Sequence, residues 1–271
     1  MTPDYPPSLQ LRLRRLARLG VILGCCLLMP AAGTAAPELP FSPGEKLTFR
    51  LRWELVPAGT TTLMVVPEEA MAGQQVNHLV LITETNSFVD LFYKVRDRFD
   101  SLVNHEVTQT IFYGKHQREG RTNRKITVRF DWKRKQATYS NFDKEIAPIS
   151  VPDGTMDPLA SFYFLRTQVL EPGMVITRPV TDGKRVAIGK ATVLARERIT
   201  VPAGTFDTLR LEPDSREVGG VFEKSRDSTI TLWVTDDRRH IPVKIKSRVV
   251  VGSFTGELIE AQGLQEVEPD S

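Results

Sequence analysis

Hydrophobic and polar residues alternate with a period of two along most of the chain that follows residue 40. The clearest segments are 47–55, 126–130, 230–234 and 243–251. One apolar and one polar face per segment is typical of antiparallel strands that are buried on one side. Further strands are expected near residues 60–66, 75–86, 95–103, 107–114, 174–180, 185–199, 205–212 and 254–260. The pattern predicts a mainly β fold, built as a strongly curved antiparallel sheet or half-barrel.

One longer segment has helical rather than alternating character. Asp157 is a good N-cap, Pro158 suits the first helical position, and residues 159–170 favour a helix until Pro172 and Gly173 end it. Apolar residues cover most of the circumference of this helix, so it must be enclosed. We therefore expect one apolar helix packed on the concave face of the sheet. A shorter helical turn is expected over residues 88–93.

The N-terminal segment has the layout of a secretory signal peptide. Arginines at residues 12–18 precede an apolar run of 11 residues, 19–29, and small residues follow up to Ala36. We predict cleavage after Ala35, which would release a periplasmic chain with no transmembrane span. Lipoprotein anchoring through Cys25 is the alternative. A single domain over residues 36–262, with a division near 150–157 as an alternative, would precede a disordered tail at 263–271.

Charge and composition narrow the function classes. The 271-residue chain has 36 basic and 33 acidic residues, but four arginines and one aspartate lie in the predicted leader. The remainder has 32 of each, so bulk charge gives no support to a nucleic-acid partner. Both cysteines, Cys25 and Cys26, also lie in the leader. Cleavage would leave a chain without disulfides, thiolate catalysis or cysteine zinc sites.

Six motifs follow one another between residues 41 and 260. They are SFVDLFYKVRDR (87–98), REGR (118–121), FDW (130–132), DPLASFYFLR (157–166), VPAGTF (201–206), and LWVTD followed by IPV (232–243). This order resembles the DUF3108 family of exported bacterial proteins, which has no assigned activity. The resemblance implies export and architecture only. The final motif also resembles, more weakly, the LolA-like lipoprotein-carrier fold, a half-barrel that holds acyl chains.

No motif points to catalysis, a cofactor or a metal. The histidines (His78, His105, His116 and His240) show no metal-ligand spacing, and the chain has neither a nucleophile elbow nor a glycine-rich phosphate loop. The acid pairs Asp236–Asp237 and Glu68–Glu69 are interpreted as solvated turn residues. The chain is therefore expected to be a non-enzyme without cofactor, although distant strands could still assemble a catalytic set.

Charged and aromatic residues supply the candidate ligand site. On a strand over 95–99, Asp97 would share the apolar face, and such a carboxylate needs a partner, for which Arg121 or Arg124 is available. The arginines could equally form a cluster that receives an anionic head group. Two aromatic clusters could line an acyl pocket or plug the barrel. The predicted ligand-binding residues are Phe88, Phe92, Tyr93, Arg96, Arg98, Arg121, Arg124, Phe162 and Tyr163.

Three functions remain open at this point. The first is a non-catalytic periplasmic binding or carrier protein for a hydrophobic or amphiphilic cell-envelope component, such as a lipid or lipoprotein. The second is a scaffold or chaperone-like partner of envelope-assembly proteins that uses exposed sheet edges. The third, least favoured, is a hydrolase acting on cell-wall polymer. The pentapeptide VPAGT, at 56–60 and 201–205, is interpreted as a strand connector, with a ligand loop as the alternative.

Overall fold

The computed structural model describes residues 38–67, 75–214, 229–249 and 252–266. The predicted leader, Glu68–Glu69 and residues 267–271 lie outside this part. The described strands are β1 (Lys46–Trp53), β2 (Val56–Val66), β3 (Val76–Thr85), β4 (Arg96–Asn104), β5 (Thr110–Glu119), β6 (Thr122–Asp131), β7 (Gln136–Asn141), β8 (Lys144–Glu145), β9 (Ile149–Ser150), β10 (Val175–Thr181), β11 (Val186–Val201), β12 (Gly204–Pro213), β13 (Thr229–Thr235), β14 (Pro242–Val249) and β15 (Gly252–Gln262). The helices are α1 (Ser87–Asp90) and α2 (Pro158–Arg166). Neither has the length and apolarity that a membrane-crossing helix needs.

All these strands belong to one antiparallel sheet, as the alternating pattern predicts. Strands β1 to β8 are neighbours in chain order, and so are β10 to β15. Pairing of β15 with β1 joins the two runs, so that β10 and β8 stand at the ends of the path, and β9 pairs with β7. The chain therefore passes from one end of the sheet to the other between β9 and β10, through α2.

The sheet curls until its two ends touch. Gly183, in the turn between β10 and β11, lies so close to β6 that an added Cβ would stand 2.6 Å from Cγ2 of Val128. Its φ of +92° favours glycine as well. Lys184 in the same turn places Nζ 4.8 Å from the ring centre of Tyr139 on β7. These contacts join strands from opposite ends of the sheet, which confirms the prediction of strong curvature.

Helix α2 packs inside the curl. Its N-cap is Asp157, as predicted, whose carboxylate accepts the N–H groups of Leu159 and Ala160. Six of its nine residues are buried, among them Tyr163 with no exposed surface. The helix ends at Arg166, four residues before the predicted end, where the Thr167 N–H turns back to the carbonyls of the last turn.

Both ends of the sheet are covered. On β10, Pro179 has no N–H to offer a further strand. Met156 pairs with the neighbouring Val180 in a parallel bridge, donating its N–H to the Pro179 carbonyl at 3.0 Å. At the other end, β8 and β9 cover β7. Pro179 and the bridge to Met156 thus restrict strand addition at one end of the described sheet, and β8 and β9 restrict it at the other.

Candidate functional site

A cleft of about 580 Å³ opens where the turns β11–β12 and β13–β14 meet the end of β15. This volume lies within the range of small-molecule sites. The lining residues are Ala203, Thr205, Phe206, Asp207, Thr235, Asp236, Asp237, Arg239, Ile241, Leu258, Ile259, Glu260, Ala261 and Leu264. The cleft therefore draws on the second copy of the pentapeptide and on the acidic turn of the last motif.

The floor of the cleft is apolar and continuous with the main core. Leu258 and Ile241 belong to that core and are almost fully buried. Phe206, Ala261 and Leu264 pack against it while remaining partly exposed. A backbone hydrogen bond of 3.0 Å from the Ala203 N–H to the Leu258 carbonyl fixes the β11–β12 turn over β15. Apolar ligand groups could contact this floor without any change in the core.

The rim of the cleft is rich in carboxylates. Asp237 accepts from Arg239 at 2.6 Å and from the Thr235 hydroxyl at 2.8 Å. Burial acts to raise the pKa of Asp237, but these hydrogen bonds hold the pKa below its usual range. The other carboxylates also have protein partners: Asp236 with Arg196 (2.8 Å), Asp207 with Arg198 (3.5 Å) and Glu260 with Gln262 (2.6 Å).

Hydrogen-bond acceptors outnumber donors in this lining. Four carboxylates and two threonine hydroxyls face a single guanidinium, that of Arg239. A carboxylate has about four lone-pair positions, so it can hold an arginine and still accept from a ligand. Such a rim suits head groups that donate hydrogen bonds, such as hydroxyls and amines. Sequence reasoning assigned Asp236–Asp237 to a solvated turn and missed its place at this cleft.

None of the predicted ligand-binding residues lines the cleft. Phe88, Phe92 and Tyr93 lie in and after α1, where each is at least half exposed. The helical turn ends at Asp90, three residues before the predicted end, and the side chain of its N-cap, Asn86, donates to the Pro57 carbonyl at 2.7 Å, which ties it to β2. Tyr93 packs on the β5–β6 turn, where a Cβ at Gly120 would stand 2.7 Å from its ring.

The four predicted arginines lie near this aromatic segment. Arg96 forms a two-point ion pair with Asp90 of α1, with a closest distance of 2.6 Å, and Arg98 pairs in the same way with Asp100 at 2.7 Å. Arg121 and Arg124 are exposed on and beside the β5–β6 turn. Phe88, Phe92 and Tyr93 thus lie with Arg96 and the β5–β6 turn at one end of the sheet, whereas Arg98 pairs with Asp100 further along β4.

Phe162 and Tyr163 are separate from that end. Both lie on α2, and they stack edge to face with ring centres 6.1 Å apart. Phe162 is half-buried against the core, and Tyr163 stacks on Phe41 with a centre distance of 5.0 Å. This second aromatic cluster therefore fills the space under the sheet, which is the plug arrangement.

Asp97 lies on the core-facing side of β4, as the alternation predicts, and is 4% exposed. The prediction that Arg121 or Arg124 pairs with this carboxylate is wrong. The carboxylate instead accepts the Arg118 N–H at 2.8 Å and shares a hydrogen bond with Glu119. Burial and the hydrogen bond with Glu119 raise the pKa of Asp97 to about 7. Adjacent strand ends bring these groups together, a contact that strand alternation alone does not specify.

Asp97→Asn is expected to change how stability depends on pH. The unfolded carboxyl releases its proton near pH 4 and the folded one near pH 7, so ionisation costs stability as pH rises between these values. Above pH 7, Asp97→Asn should therefore raise the free energy of unfolding, relative to the wild type, by on the order of 2 kcal/mol. Urea unfolding at pH 5 and pH 8 measures this difference.

Asp100→Asn provides the matched control on the other face of β4. Burial raises the pKa of Asp100, but hydrogen bonds from His78 and Arg98 outweigh it and lower the pKa overall. This variant should therefore lose stability at pH 8 rather than gain it. An unchanged pH slope in Asp97→Asn would contradict the shared-proton arrangement.

One of three similar solved structures supports the same architecture. The chain is similar to a β-barrel-like DUF1849 protein from Brucella abortus, with a TM-score of 0.51 at 8% identity, covering 84% of this chain and 100% of that one. It also matches "a putative lipoprotein" from Parabacteroides distasonis (TM-score 0.36, 13% identity, covering 83% and 97%). A third match is "a putative exported protein with YmcC-like fold" from Bacteroides fragilis (0.31, 9%, 84% and 100%).

Three further findings concern possible metal ligands, curated relatives and the sequence family. Within the described ranges, no group of three or more histidine, cysteine, aspartate or glutamate side chains could hold a metal ion. Among curated proteins, none matches this sequence. The profile of the family described as "protein of unknown function (DUF3108)" matches residues 48–259. The chain therefore belongs to the DUF3108 family.

Proposed function

We propose that this protein is a non-catalytic binding or carrier protein for an amphiphilic component of the cell envelope. The cleft of about 580 Å³, with its apolar floor and acceptor-rich rim, carries the proposal. A ligand site of this kind needs apolar contact area and a few polar groups that fix orientation. The interior under the sheet is filled by α2, so the ligand lies in the cleft instead of inside the barrel.

The lining defines the class of ligand. An alkyl or other apolar group would lie against Phe206, Ala261 and Leu264, which pack on the core and remain partly exposed. A head group with hydroxyl or amine donors would meet the acceptor oxygens of the rim, whereas an anionic head group would find one lining cation, Arg239, which Asp237 already binds. The ligand is thus an amphiphile with a neutral or cationic head.

A periplasmic location supports this role. Residues 12–36 have the order of charge, apolar length and small residues that directs secretion. We propose a chain cleaved after Ala35 and released into the periplasm, in preference to one anchored through Cys25. An envelope amphiphile is then available to the cleft.

The scaffold alternative has less support from the sheet. Partner binding by strand addition needs a row of unpaired backbone groups at a sheet edge. On the described sheet, Pro179 and the bridge to Met156 occupy one end, and the short strands β8 and β9 cover the other. We therefore place the binding role in the cleft rather than at an edge.

Ala203→Trp is expected to fill the cleft and weaken ligand binding. Ala203 is exposed in the β11–β12 turn and lines the cleft, so the indole can occupy it without entering the core. Calorimetric titration with decylamine should give binding to the wild type that is about tenfold weaker in the variant, since loss of one well-packed apolar contact costs about 1.5 kcal/mol or more. Decanoate, with a similar chain and an anionic head, should bind more weakly than decylamine to the wild type.

Ile188→Trp is the matched control. Ile188 is 60% exposed on β11 and does not line the cleft, so this variant should bind decylamine like the wild type. Equal loss in both variants, or equal affinity for the amine and the carboxylate, would refute the assignment of the site.

A further inference from the structure

Large apolar side chains are exposed together at the end of the sheet opposite the cleft. We call this patch the aromatic end; its members are Trp53, Leu55, Phe88, Leu91, Phe92 and Tyr93. Leu55, Leu91 and Phe92 are the most exposed, at 85%, 78% and 76%. Six large apolar side chains, each at least 47% exposed, thus lie at one end of the sheet, and exposed apolar groups of this kind often mark an interaction site.

Two sets of contacts hold the parts of the aromatic end beside one another. Asn86 donates its backbone N–H to the Ala58 carbonyl at 3.0 Å, which ties α1 to the strand that follows Leu55. The Gly120 N–H donates to the Lys94 carbonyl at 2.9 Å, so the residues after α1 lie against the β5–β6 turn. The β1–β2 turn and the α1 segment, which carry these apolar side chains, therefore lie at the same end of the sheet as the β5–β6 turn.

Basic side chains surround this patch. The exposed cations on the segment after α1 and on the β5–β6 hairpin are Lys94, Arg118, Arg121, Arg124 and Lys125. Nearby carboxylates are engaged within the protein. Arg96 binds Asp90 at 2.6 Å and Glu84 at 3.7 Å. Glu54 accepts the Ser253 N–H at 2.7 Å, and Glu119 of the β5–β6 hairpin shares a hydrogen bond with Asp97. The surface therefore combines exposed aromatic side chains with an excess of positive charge.

We propose that the aromatic end docks onto an anionic lipid surface. Aromatic and leucine side chains beside lysine and arginine are the composition that binds the interface of a bilayer. The cations attract acidic head groups while the apolar side chains enter the boundary with the acyl chains. Charge complementarity thus selects a lipid surface with negative head groups as the occupant.

The docking surface and the cleft are independent. Strand β15 runs from Phe254, which pairs with Trp53 at the aromatic end, to Ala261 in the cleft. Seven residues of extended chain span about 23 Å, at roughly 3.3 Å each. A protein docked through the aromatic end would keep its cleft outside the bilayer, so membrane binding does not depend on the proposed ligand site.

Sedimentation with lipid vesicles tests the proposal. The protein is expressed with its own leader, purified from the periplasm and mixed with vesicles of phosphatidylglycerol and phosphatidylethanolamine, or of phosphatidylcholine alone. We expect binding to the anionic vesicles, little binding to phosphatidylcholine, and a decrease when salt is added. Leu91→Ser with Phe92→Ser should lower the partition coefficient about tenfold or more, because both side chains would otherwise be buried in the interface.

Controls separate this surface from general stickiness and from the cleft. Val169→Ser with Ile188→Ser removes two exposed apolar side chains elsewhere (76% and 60% exposed) and should bind vesicles like the wild type. Ala203→Trp should also bind normally. The proposal is overturned if the wild type does not bind anionic vesicles, or if both double variants lose binding equally. Binding that occurs only through an added envelope protein would also overturn it.

Discussion

Glu45→Gln is expected to lower the free energy of unfolding by about 3–5 kcal/mol. Glu45 and Arg166 form an ion pair with oxygen–nitrogen distances of 2.6 and 2.9 Å, and each side chain is only 1% exposed. Arg166 also lies over the rings of Phe41 and Tyr163, and its Nε donates to the Arg239 carbonyl at 3.1 Å. Removing the negative charge would leave the guanidinium buried without a counter-charge.

Thermal and urea unfolding measure this loss. For a chain of this size, it corresponds to a decrease in Tm on the order of 10 °C. The double variant Glu45→Met with Arg166→Met should be more stable than the sum of the two single losses predicts, because no isolated charge remains. Single and double losses that simply add would show that the pair is not coupled.

Asp157→Ala is expected to cost about 3–4 kcal/mol. One carboxylate oxygen accepts the N–H groups that begin α2, which contributes about 1 kcal/mol as a helix cap. The other accepts the hydroxyls of Ser101 (2.6 Å) and Thr110 (2.7 Å), and a buried hydroxyl that loses its partner costs about 1–3 kcal/mol. Alanine would remove both functions at a site with no exposed surface.

Asp157→Asn distinguishes the hydrogen bonds from the charge. Burial raises the pKa of Asp157, although the hydrogen bonds from Ser101 and Thr110 act to lower it. Asparagine keeps an oxygen for the cap and an amide for the hydroxyls, which can rotate to accept. We expect this variant to lose about 1 kcal/mol or less. A loss as large as that of Asp157→Ala would mean that the charge itself stabilises the fold.

The alternating pattern predicted the sheet well but missed its shortest strands. Most of the long strands carry apolar residues at every second position, so period two was visible. Strand β7 (Gln136–Asn141) contributes only Ala137 and Tyr139, which lie between polar neighbours, to the apolar cluster around Val128. Two small or amphipathic contacts give too weak a pattern, and β8 and β9 are only two residues long.

The helix illustrates the limit of local signals. Asp157 and Pro158 marked its start correctly because capping is decided within a few residues. At its end, the Arg166 carbonyl oxygen lies 3.0 Å from Nδ1 of His240, which is 74 positions away in sequence. No local pattern contains that contact, so residues up to 170 were expected to be helical.

The candidate site was the least predictable part. The alternation placed Asp97 on the correct face, but its partners come from the end of the neighbouring β5. The cleft is formed by three segments that are distant in sequence, and two of its four carboxylates, Asp236 and Asp237, lie in a turn, where acids are common on any surface. Only the recurrence of VPAGT and the acidic turn marked these positions, and both have ordinary structural explanations.

Native mass spectrometry of the protein purified from the periplasm tests the binding role most directly. The account predicts a bound amphiphile with a neutral or cationic head group on the wild type and on Ile188→Trp, and its loss from Ala203→Trp. A wild-type protein that carries nothing, or an adduct that remains unchanged in Ala203→Trp, would contradict it.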